Sequence, residues 1–168
     1  MKLFTVKNTN DKGKGLFSSC DIKKGTKIFS IDLSKKKSYS QKEISQNPKM
    51  QSDHWDYIGR KRYVISFHPY SYMNHSCDPN TLVKHTSISK STFVAIKNIK
   101  KGEELTYDYG VNAIDQFGKN DWILNCKCGN KNCRKKIPSD FFKQPLSIRN
   151  KYSKYLPPSI KRKYKDRL

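Results

Sequence analysis

Three cysteines within eight residues are the strongest constraint on how this chain can fold. Cys126, Cys128 and Cys133 have the spacing Cys-x-Cys-x4-Cys. Three thiolates cannot pair evenly as disulfides, but they can converge on one cation, and zinc favours soft thiolate donors in a tetrahedral site. Structural zinc needs four ligands, so one donor must come from elsewhere in the chain. The candidates are Cys77, Cys20 and the four histidines.

The rest of the composition indicates one domain in a reducing compartment. The chain has 168 residues, and its five cysteines are an odd number that cannot form a complete disulfide set. Its 10 Tyr, 8 Phe and 2 Trp argue against disorder. No apolar run approaches the roughly 18 residues of a membrane helix, and the first residues turn polar too early for a secretory signal. We therefore expect no membrane partner and an intracellular protein, in the cytoplasm of a microbe or the nucleus of a eukaryote.

Charge is distributed unevenly along the chain. The formal net charge is +21, and residues 134–168 carry 12 Lys and Arg but only two Asp. Residues 103–121 are acidic through Glu103, Glu104, Asp108, Asp115 and Asp121. We expect the acidic segment to form a rim that receives a basic, lysine-containing protein or peptide, and the basic tail to contact nucleic acid. The alternative is a solvated, lysine-rich surface without a partner.

Short strands separated by turns dominate the chain up to the cysteine array. Alternating apolar residues predict strands at residues 3–6, 26–31, 63–67, 81–84, 92–96 and 104–107. Ser40 and Glu43 match a capping box, which predicts a short helix ending near Pro48. Pro138 and Pro157 precede segments with helical spacing, so the basic tail is predicted to be helical.

Two further segments carry a resemblance to a known family. Residues 74–80 read Asn-His-Ser-Cys-Asp-Pro-Asn, and residues 102–110 read Gly-Glu-Glu-Leu-Thr-Tyr-Asp-Tyr-Gly. Together they resemble, nearly letter for letter, the signature segments of the SET-domain protein lysine methyltransferases. The Gly-x-Gly at residues 13–15 resembles the family's N-terminal loop, and the cysteine array resembles its post-SET motif. The four motifs follow the family's order and cover roughly residues 3–135.

The resemblance implies a mainly β fold, built of several small sheets with a pseudoknot in which residues 104–109 thread a loop near residues 74–80. It divides the chain into a SET domain at 1–112 with a short insert at about 32–66, a post-SET zinc-binding segment at 113–136 and a basic helical extension at 137–168. Because the chain begins almost at the Gly-x-Gly, we expect a compact protein without a cysteine-rich pre-SET region.

The resemblance also implies the activity, which is methyl transfer from S-adenosylmethionine to a lysine side chain of a protein. Histones or other basic proteins associated with nucleic acid are the expected substrates. The transfer depends on positioning and on desolvating the amine, so zinc has a structural role only. Tyr109 matches the family's active-site tyrosine. Tyr107 occupies a position that is Phe or Tyr in the family, and a Tyr there resembles enzymes that mainly monomethylate.

Binding residues are carried over from the matching motifs. The implied cofactor-binding residues are Gly13, Lys14, Gly15, Leu16, Asn74, His75 and Tyr109, and the implied zinc ligands are Cys77, Cys126, Cys128 and Cys133. Simpler interpretations exist for some of them. Gly13 and Gly15 also suit a plain hairpin turn, His75 suits a satisfied core histidine, and Tyr107 suits a core or edge aromatic residue.

A few positions have no settled role in this comparison. Ser71 stands where many members have Arg, so one cofactor contact is either lost or replaced. Phe141 or Phe142 packs against the adenine or within the tail, and Cys20 is expected to be a small buried residue. Two other functions remain open. They are a zinc-stabilised, basic nucleic-acid-binding module and a catalytically inactive SET-like domain.

Overall fold

Five small β-sheets form most of the regular structure in a computed structural model of the chain, which describes residues 2–50, 54–66, 69–111 and 123–168. The strands are β1 (Phe4–Asn8), β2 (Lys14–Ser18), β3 (Lys27–Asp32), β4 (Tyr39–Ser40), β5 (Trp55–Tyr57), β6 (Arg62–Ile65), β7 (Asn74–His75), β8 (Thr81–Ser87), β9 (Lys90–Ala95), β10 (Thr106–Tyr107), β11 (Ile123–Asn125) and β12 (Lys136–Pro138). The predicted mainly β class is confirmed.

The helices are short. They are α1 (Gln41–Ser45), α2 (Leu146–Tyr152) and α3 (Pro158–Lys163), with 3-10 turns at Pro48–Met50, Pro69–Tyr72, Tyr109–Val111, Phe141–Lys143, Ser153–Tyr155 and Lys165–Arg167. Ser40 and Glu43 form the predicted capping box, with both reciprocal hydrogen bonds present. The tail is helical as predicted behind Pro157, where α3 begins on Pro158 at its first turn and a missing N–H costs nothing. Pro138, which was also expected to precede a helix, instead ends β12, and a 3-10 turn at Phe141–Lys143 separates it from α2. No helix in the described ranges has the length and apolar character needed to cross a bilayer.

The sheets place the N-terminal hairpin beside the two signature segments. β1 and β2 pair antiparallel from Phe4 opposite Ser18 to Asn8 opposite Lys14, and the turn uses Gly13 at a φ of 72°, which glycine adopts without strain. The other sheets have the orders β3-β9-β8, β4-β6-β5, β7-β10 and β11-β12. The predicted strand at 63–67 is observed as β6, and its Phe67 lies outside the described residues.

The two signature segments pair in parallel, through β7 and β10. Asn80 fixes this pairing because its side-chain amide donates to the Glu104 carbonyl at 2.8 Å and its side-chain oxygen accepts from the Thr106 N–H at 2.9 Å. The predicted contact between residues 104–109 and residues 74–80 is therefore present. The strand predicted at 104–107 is observed only as the two residues of β10. Glu104 instead forms an isolated bridge to Phe17 of β2.

One apolar core joins the sheets and the basic tail. Leu16, Met73 and Phe93 are almost wholly buried in it, and Tyr152, Leu156 and Ile160 from the tail belong to the same cluster. Each buried large apolar side chain contributes about 1.5–3 kcal/mol relative to an exposed one. The C-terminal helices are thus part of the folded core.

Candidate active site

The N-terminal hairpin and both signature segments meet at Asn74. Its side-chain N–H groups donate to the Lys14 carbonyl at 3.1 Å and to Glu104 Oε1 at 2.6 Å. A Cβ added to Gly15 would lie 2.8 Å from that carboxylate oxygen and 2.8 Å from the Thr9 methyl carbon, so a larger residue would have to displace both side chains. The Gly-x-Gly is therefore a hairpin that also touches the signature segments. Leu16 is fully buried and contributes only backbone to this surface.

Tyr109 is held by one hydrogen bond and two ring contacts. Its hydroxyl donates to the Met73 carbonyl at 2.8 Å, and its ring centroid lies 4.9 Å from that of Tyr107 and 5.5 Å from that of His75. Burial, with the charge of Glu104 adding to it, raises the pKa of Tyr109 to about 12, so the hydroxyl stays protonated and acts as a donor. Tyr107 also contacts Phe93 edge-on at 5.4 Å, which joins the pair of tyrosines to the core.

His75 connects Tyr109 to the cysteines. The ring is 7% exposed, its Nδ1 accepts from the Tyr109 backbone N–H at 3.1 Å, and its Nε2 lies 3.4 Å from Cys77 Sγ. Burial lowers the pKa of His75, against the opposing charge of Asp108, so the neutral ring carries its proton on Nε2, which faces the sulfur. Each ring nitrogen of His75 thus has a neighbour, and the Nδ1 contact holds the backbone of the Tyr109 turn.

Cys77 joins the three cysteines of the array, although it precedes the first of them by 49 residues. The four Sγ atoms of Cys77, Cys126, Cys128 and Cys133 all lie within 4.8 Å of one another, and those of Cys77 and Cys126 are 3.8 Å apart. A tetrahedron with metal–sulfur bonds of about 2.3 Å has sulfur–sulfur edges of roughly 3.8 Å. The cluster therefore fits a tetrahedral zinc ion, and all four thiols are free of disulfides. Cys20 does not belong to it and is half-buried against the core, less buried than expected.

A buried ion pair that the sequence did not reveal lies behind Tyr109. Asp108 is 1% exposed, and both of its carboxylate oxygens lie 2.6 Å from Arg134 Nη2. Arg134 also donates to Gln144 Oε1 at 2.6 Å, and Gln144 packs so closely on Gly110 that a Cβ there would lie 2.3 Å from its amide nitrogen. Arg134 and Gln144 therefore connect the end of the cysteine array and the start of the tail to the segment that carries Tyr109.

This ion pair corrects the predicted acidic rim. Asp108 was expected on the rim, but it is buried and neutralised because Arg134 lies directly against it. Glu104 faces the hairpin, where it pairs with Lys12 at 3.4 Å. Glu103 is exposed, and Asp115 and Asp121 lie outside the described residues.

Contacts are also observed at two positions whose roles the sequence left open. The hydroxyl of Ser71, which stands in place of the frequent Arg, donates to the Ser66 carbonyl at 2.8 Å. Phe141 and Phe142 are both buried, and the Phe142 ring lies 5.1 Å from that of Tyr164 and 4.1 Å from the Arg167 guanidinium carbon. The Phe142 ring therefore packs within the tail.

The sheets, the parallel pairing of the signature segments and the Tyr109 turn describe a SET-type site, and sequence comparison gives the same class. The sequence model of the SET domain matches residues 13–110, more than half of the chain, so the chain belongs to the SET-domain family.

Individual relatives are histone methyltransferases. "Probable histone-lysine N-methyltransferase set-23" of Caenorhabditis briggsae is 31% identical over 125 residues, which cover 71% of this chain and 43% of the relative. "Histone-lysine N-methyltransferase ASHH3" of Arabidopsis thaliana is 44% identical over 69 residues, 39% of this chain and 17% of the relative. The chain thus spans less than half the length of these relatives.

A solved structure is similar in fold as well as in sequence. The crystal structure of KRYPTONITE in complex with mCHG DNA and SAH aligns with a TM-score of 0.57 and 26% identity. The alignment covers 80% of this chain and 28% of that chain. The match in fold thus reaches beyond the residues matched by the SET-domain sequence model.

Proposed function

We propose that this protein is an S-adenosylmethionine-dependent protein-lysine N-methyltransferase. The observation that carries the proposal is the placement of Tyr109, whose hydroxyl and backbone are fixed by Met73 and His75 beside the contact between Asn74 and the Gly-x-Gly hairpin. The names of the relatives and the SAH in the KRYPTONITE complex support the same activity.

The residues around Asn74 suit the proposed cofactor. When bound, S-adenosylmethionine supplies a methyl group whose bond to sulfur breaks as a bond to the lysine nitrogen forms, and the amine proton leaves to water. The backbone of Gly13, Lys14, Gly15 and Leu16, together with Asn74 and His75, is proposed to line the cofactor site. Glycine permits the close backbone approach that a bound ligand needs there.

Tyr109 and Tyr107 are proposed to shape the lysine channel. Both rings are apolar walls that favour the neutral amine, and a tyrosine hydroxyl can orient nitrogen without adding a charge. We further propose that Tyr107 favours monomethylation, since its hydroxyl can hold a water that takes the space of a second methyl group.

Incubation with labelled S-adenosylmethionine and a mixture of histones and whole-cell lysate tests the activity. We expect label on basic proteins, a single added methyl per lysine by mass spectrometry, and cofactor binding by calorimetry. The Asn74→Ala variant should lose methyl transfer and cofactor binding, because the Asn74 amide joins the hairpin to Glu104 in the natural chain. Binding without transfer to any protein would favour an inactive SET-like domain. If zinc-loaded protein neither binds nor transfers, the basic nucleic-acid-binding module becomes the better account.

We propose that Cys77, Cys126, Cys128 and Cys133 hold one structural zinc ion. Because the cluster joins a signature segment to the start of the tail, removing the metal is expected to loosen the contact between Arg134 and Asp108 as well. Elemental analysis should give one zinc per chain, and a strong chelator should lower the melting temperature by at least about 10 °C, since structural zinc contributes directly to folding. Cys20→Ser is the matched control and should keep its zinc. An unchanged metal content in Cys126→Ser would contradict the proposed ligand set.

A basic protein is the proposed substrate, and the tail is proposed to contact nucleic acid inside the cell. Lys161, Arg162 and Lys163 lie on α3, where the last two are exposed. Neutralising phosphates with such side chains gives binding that weakens steeply with salt. Changing all three to Gln should reduce the salt dependence of duplex DNA binding, with the triple change of Lys23, Lys24 and Lys27 as the matched control. Equal effects of the two triple variants would favour a solvated surface instead.

A further inference from the structure

Aromatic side chains line one face of the β4-β6-β5 sheet. Tyr39 of β4 and Tyr57 of β5 both lie directly opposite Tyr63 of the central strand β6. Residues that are paired in this way point to the same face of a sheet, so the three tyrosines form a row across all three strands. Trp55 lies two residues before Tyr57 on β5 and therefore shares this face. We call these four residues the aromatic face.

The aromatic face is turned away from the core. Val64 alternates with Tyr63 along β6, and its side chain is 2% exposed. Asp56, which lies opposite Val64 on β5, accepts a hydrogen bond from the hydroxyl of the buried Tyr70. The core therefore lies on the Val64 side of the sheet. All four rings of the aromatic face are partly exposed, and the apolar core cluster of the described residues contains none of them.

The rings of the aromatic face also pack against one another. The centroids of Tyr57 and Tyr63 are 5.3 Å apart, and the rings of Tyr39 and Trp55 meet edge to face at 6.1 Å. The Tyr57 hydroxyl accepts from the Lys61 N–H at 3.4 Å, which holds that ring beside the β5–β6 turn. Contiguous apolar surface of this kind is typical of a site that binds a ligand or a partner.

Positive charge flanks the aromatic face at both ends. The antiparallel pairing places Lys37, two residues before Tyr39, at the end where Trp55 lies. The Lys37 ammonium nitrogen is 5.4 Å from the Tyr39 ring centroid. At the other end, Arg60 and Lys61 lie in the β5–β6 turn, and both side chains are exposed. A ligand that spans the row of rings therefore meets cations on either side.

The acidic side chains of this region do not offset that charge. Asp56 points to the core side of the sheet, and Glu43 pairs with Arg62 at 3.0 Å. Residues 33–66 carry eight Lys and Arg against three Asp and Glu. Such a surface repels a basic peptide, and it also repels a second copy of a chain whose net charge is +21. A flexible polyanion that carries aromatic groups suits both the cations and the rings.

From this arrangement we infer that the aromatic face binds single-stranded nucleic acid. Successive bases stack on the rings, while Lys37, Arg60 and Lys61 contact phosphates at the two ends of the row. A duplex keeps its bases stacked inside the double helix and cannot use the rings in this way. The inference goes beyond the proposed methyl transfer and does not depend on it. It also concerns a different surface from the helical tail, whose proposed contact with nucleic acid depends on charge alone.

Fluorescence anisotropy with labelled strands of about twelve nucleotides tests the inference on full-length, zinc-loaded protein. The probes are oligo(dT), oligo(U) and a DNA duplex of the same length. Trp55→Leu and Tyr57→Leu each keep an apolar side chain but remove an aromatic ring, and Tyr155→Leu is the matched control. Tyr155 is a partly exposed ring of the tail, and the nitrogens of Lys84 and Lys154 lie 6.0 Å and 5.1 Å from its centroid.

Each variant of the aromatic face should raise the Kd for a single strand about tenfold, the effect of losing one base–aromatic stack. The Kd for the duplex should not change, and Tyr155→Leu should change neither value. Binding of a single strand should also quench tryptophan fluorescence in the natural chain, and Trp55→Leu should remove most of that quenching, which reports stacking itself. Binding of oligo(dT) or oligo(U) in this pattern supports the inference, and the tighter of the two identifies the sugar.

The opposite results would overturn the inference. They are a natural chain that binds neither single strand, aromatic-face variants that bind as the natural chain does, and an equal loss in Tyr155→Leu. Poly-glutamate that competes as well as unlabelled oligo(dT) would likewise show that the surface attracts any polyanion and does not recognise bases.

A second arm changes only charge. The triple variant Lys37→Gln, Arg60→Gln and Lys61→Gln should leave the fold intact, because all three side chains are exposed. For single strands, the slope of log Kd against log salt concentration should fall by about 2, since three phosphate contacts are lost. The matched control is the triple Gln change of Lys23, Lys24 and Lys27, which are also exposed. Equal slopes for the two triple variants would show that the cations beside the aromatic face have no special role, and the inference would then be wrong.

Discussion

Replacing Arg134 by Leu is expected to destabilise the protein by about 3–5 kcal/mol, because it leaves a buried carboxylate without its counter-charge. Asp108 is 1% exposed and makes two contacts of 2.6 Å with the guanidinium group. Apart from that group, the Asp108 carboxylate accepts from the Gly110 N–H at 3.0 Å and lies 3.8 Å from His75 Nδ1. Urea unfolding of zinc-loaded protein measures the loss directly.

Two further variants separate the ion pair from general effects. Lys136→Leu removes the same charge from an exposed position on β12 and should cost less than about 1 kcal/mol. Adding Asp108→Asn to Arg134→Leu should recover part of the loss, because the uncompensated charge is then gone. Equal losses for Arg134→Leu and Lys136→Leu would show that Asp108 does not depend on this partner.

The contact between Arg134 and Asp108 could not be predicted from the sequence. Local rules identified the capping box at Ser40, the helical tail and the alternating strands, because each depends on neighbours in the chain. Arg134 and Asp108 are 26 residues apart and belong to different motifs, so no periodicity relates them. In the sequence Asp108 is one acidic residue among several. Only tertiary packing determines whether its carboxylate is buried or lies on an exposed rim.

The motifs predicted which residues form the site, but they did not predict how these residues contact one another. The resemblance named Cys77 as the fourth cysteine, and the Sγ distances agree with that choice. It could not tell that the His75 ring turns inward to bridge Tyr109 and Cys77, since ring orientation depends on which donors the fold brings near. Nor could it place Glu104, because neither spacing nor hydropathy reports a contact with Asn74 and Gly15.

Changing Tyr109 to Phe is expected to lower methyl transfer by about 10²–10³-fold, a loss comparable to that of one positioned polar group in other active sites. The change removes the hydroxyl that donates to the Met73 carbonyl at 2.8 Å and keeps a ring that still packs on Tyr107 and His75. Stability should therefore change little, and the cofactor Kd should stay within about threefold, so the loss falls on kcat. Rates with labelled cofactor and calorimetry on the same preparation separate the two quantities.

Tyr107→Phe is the matched control, since it removes one hydroxyl from the ring 4.9 Å away. It should retain transfer and increase the share of dimethylated lysine, because the space held by the hydroxyl becomes available to a second methyl group. A Tyr109→Phe variant that keeps full activity would mean that the Tyr109 hydroxyl only braces Met73, and the catalytic role would then have to lie elsewhere in the channel. Equal losses in the two variants would point instead to a general loosening of the paired rings, which contact the core through Phe93.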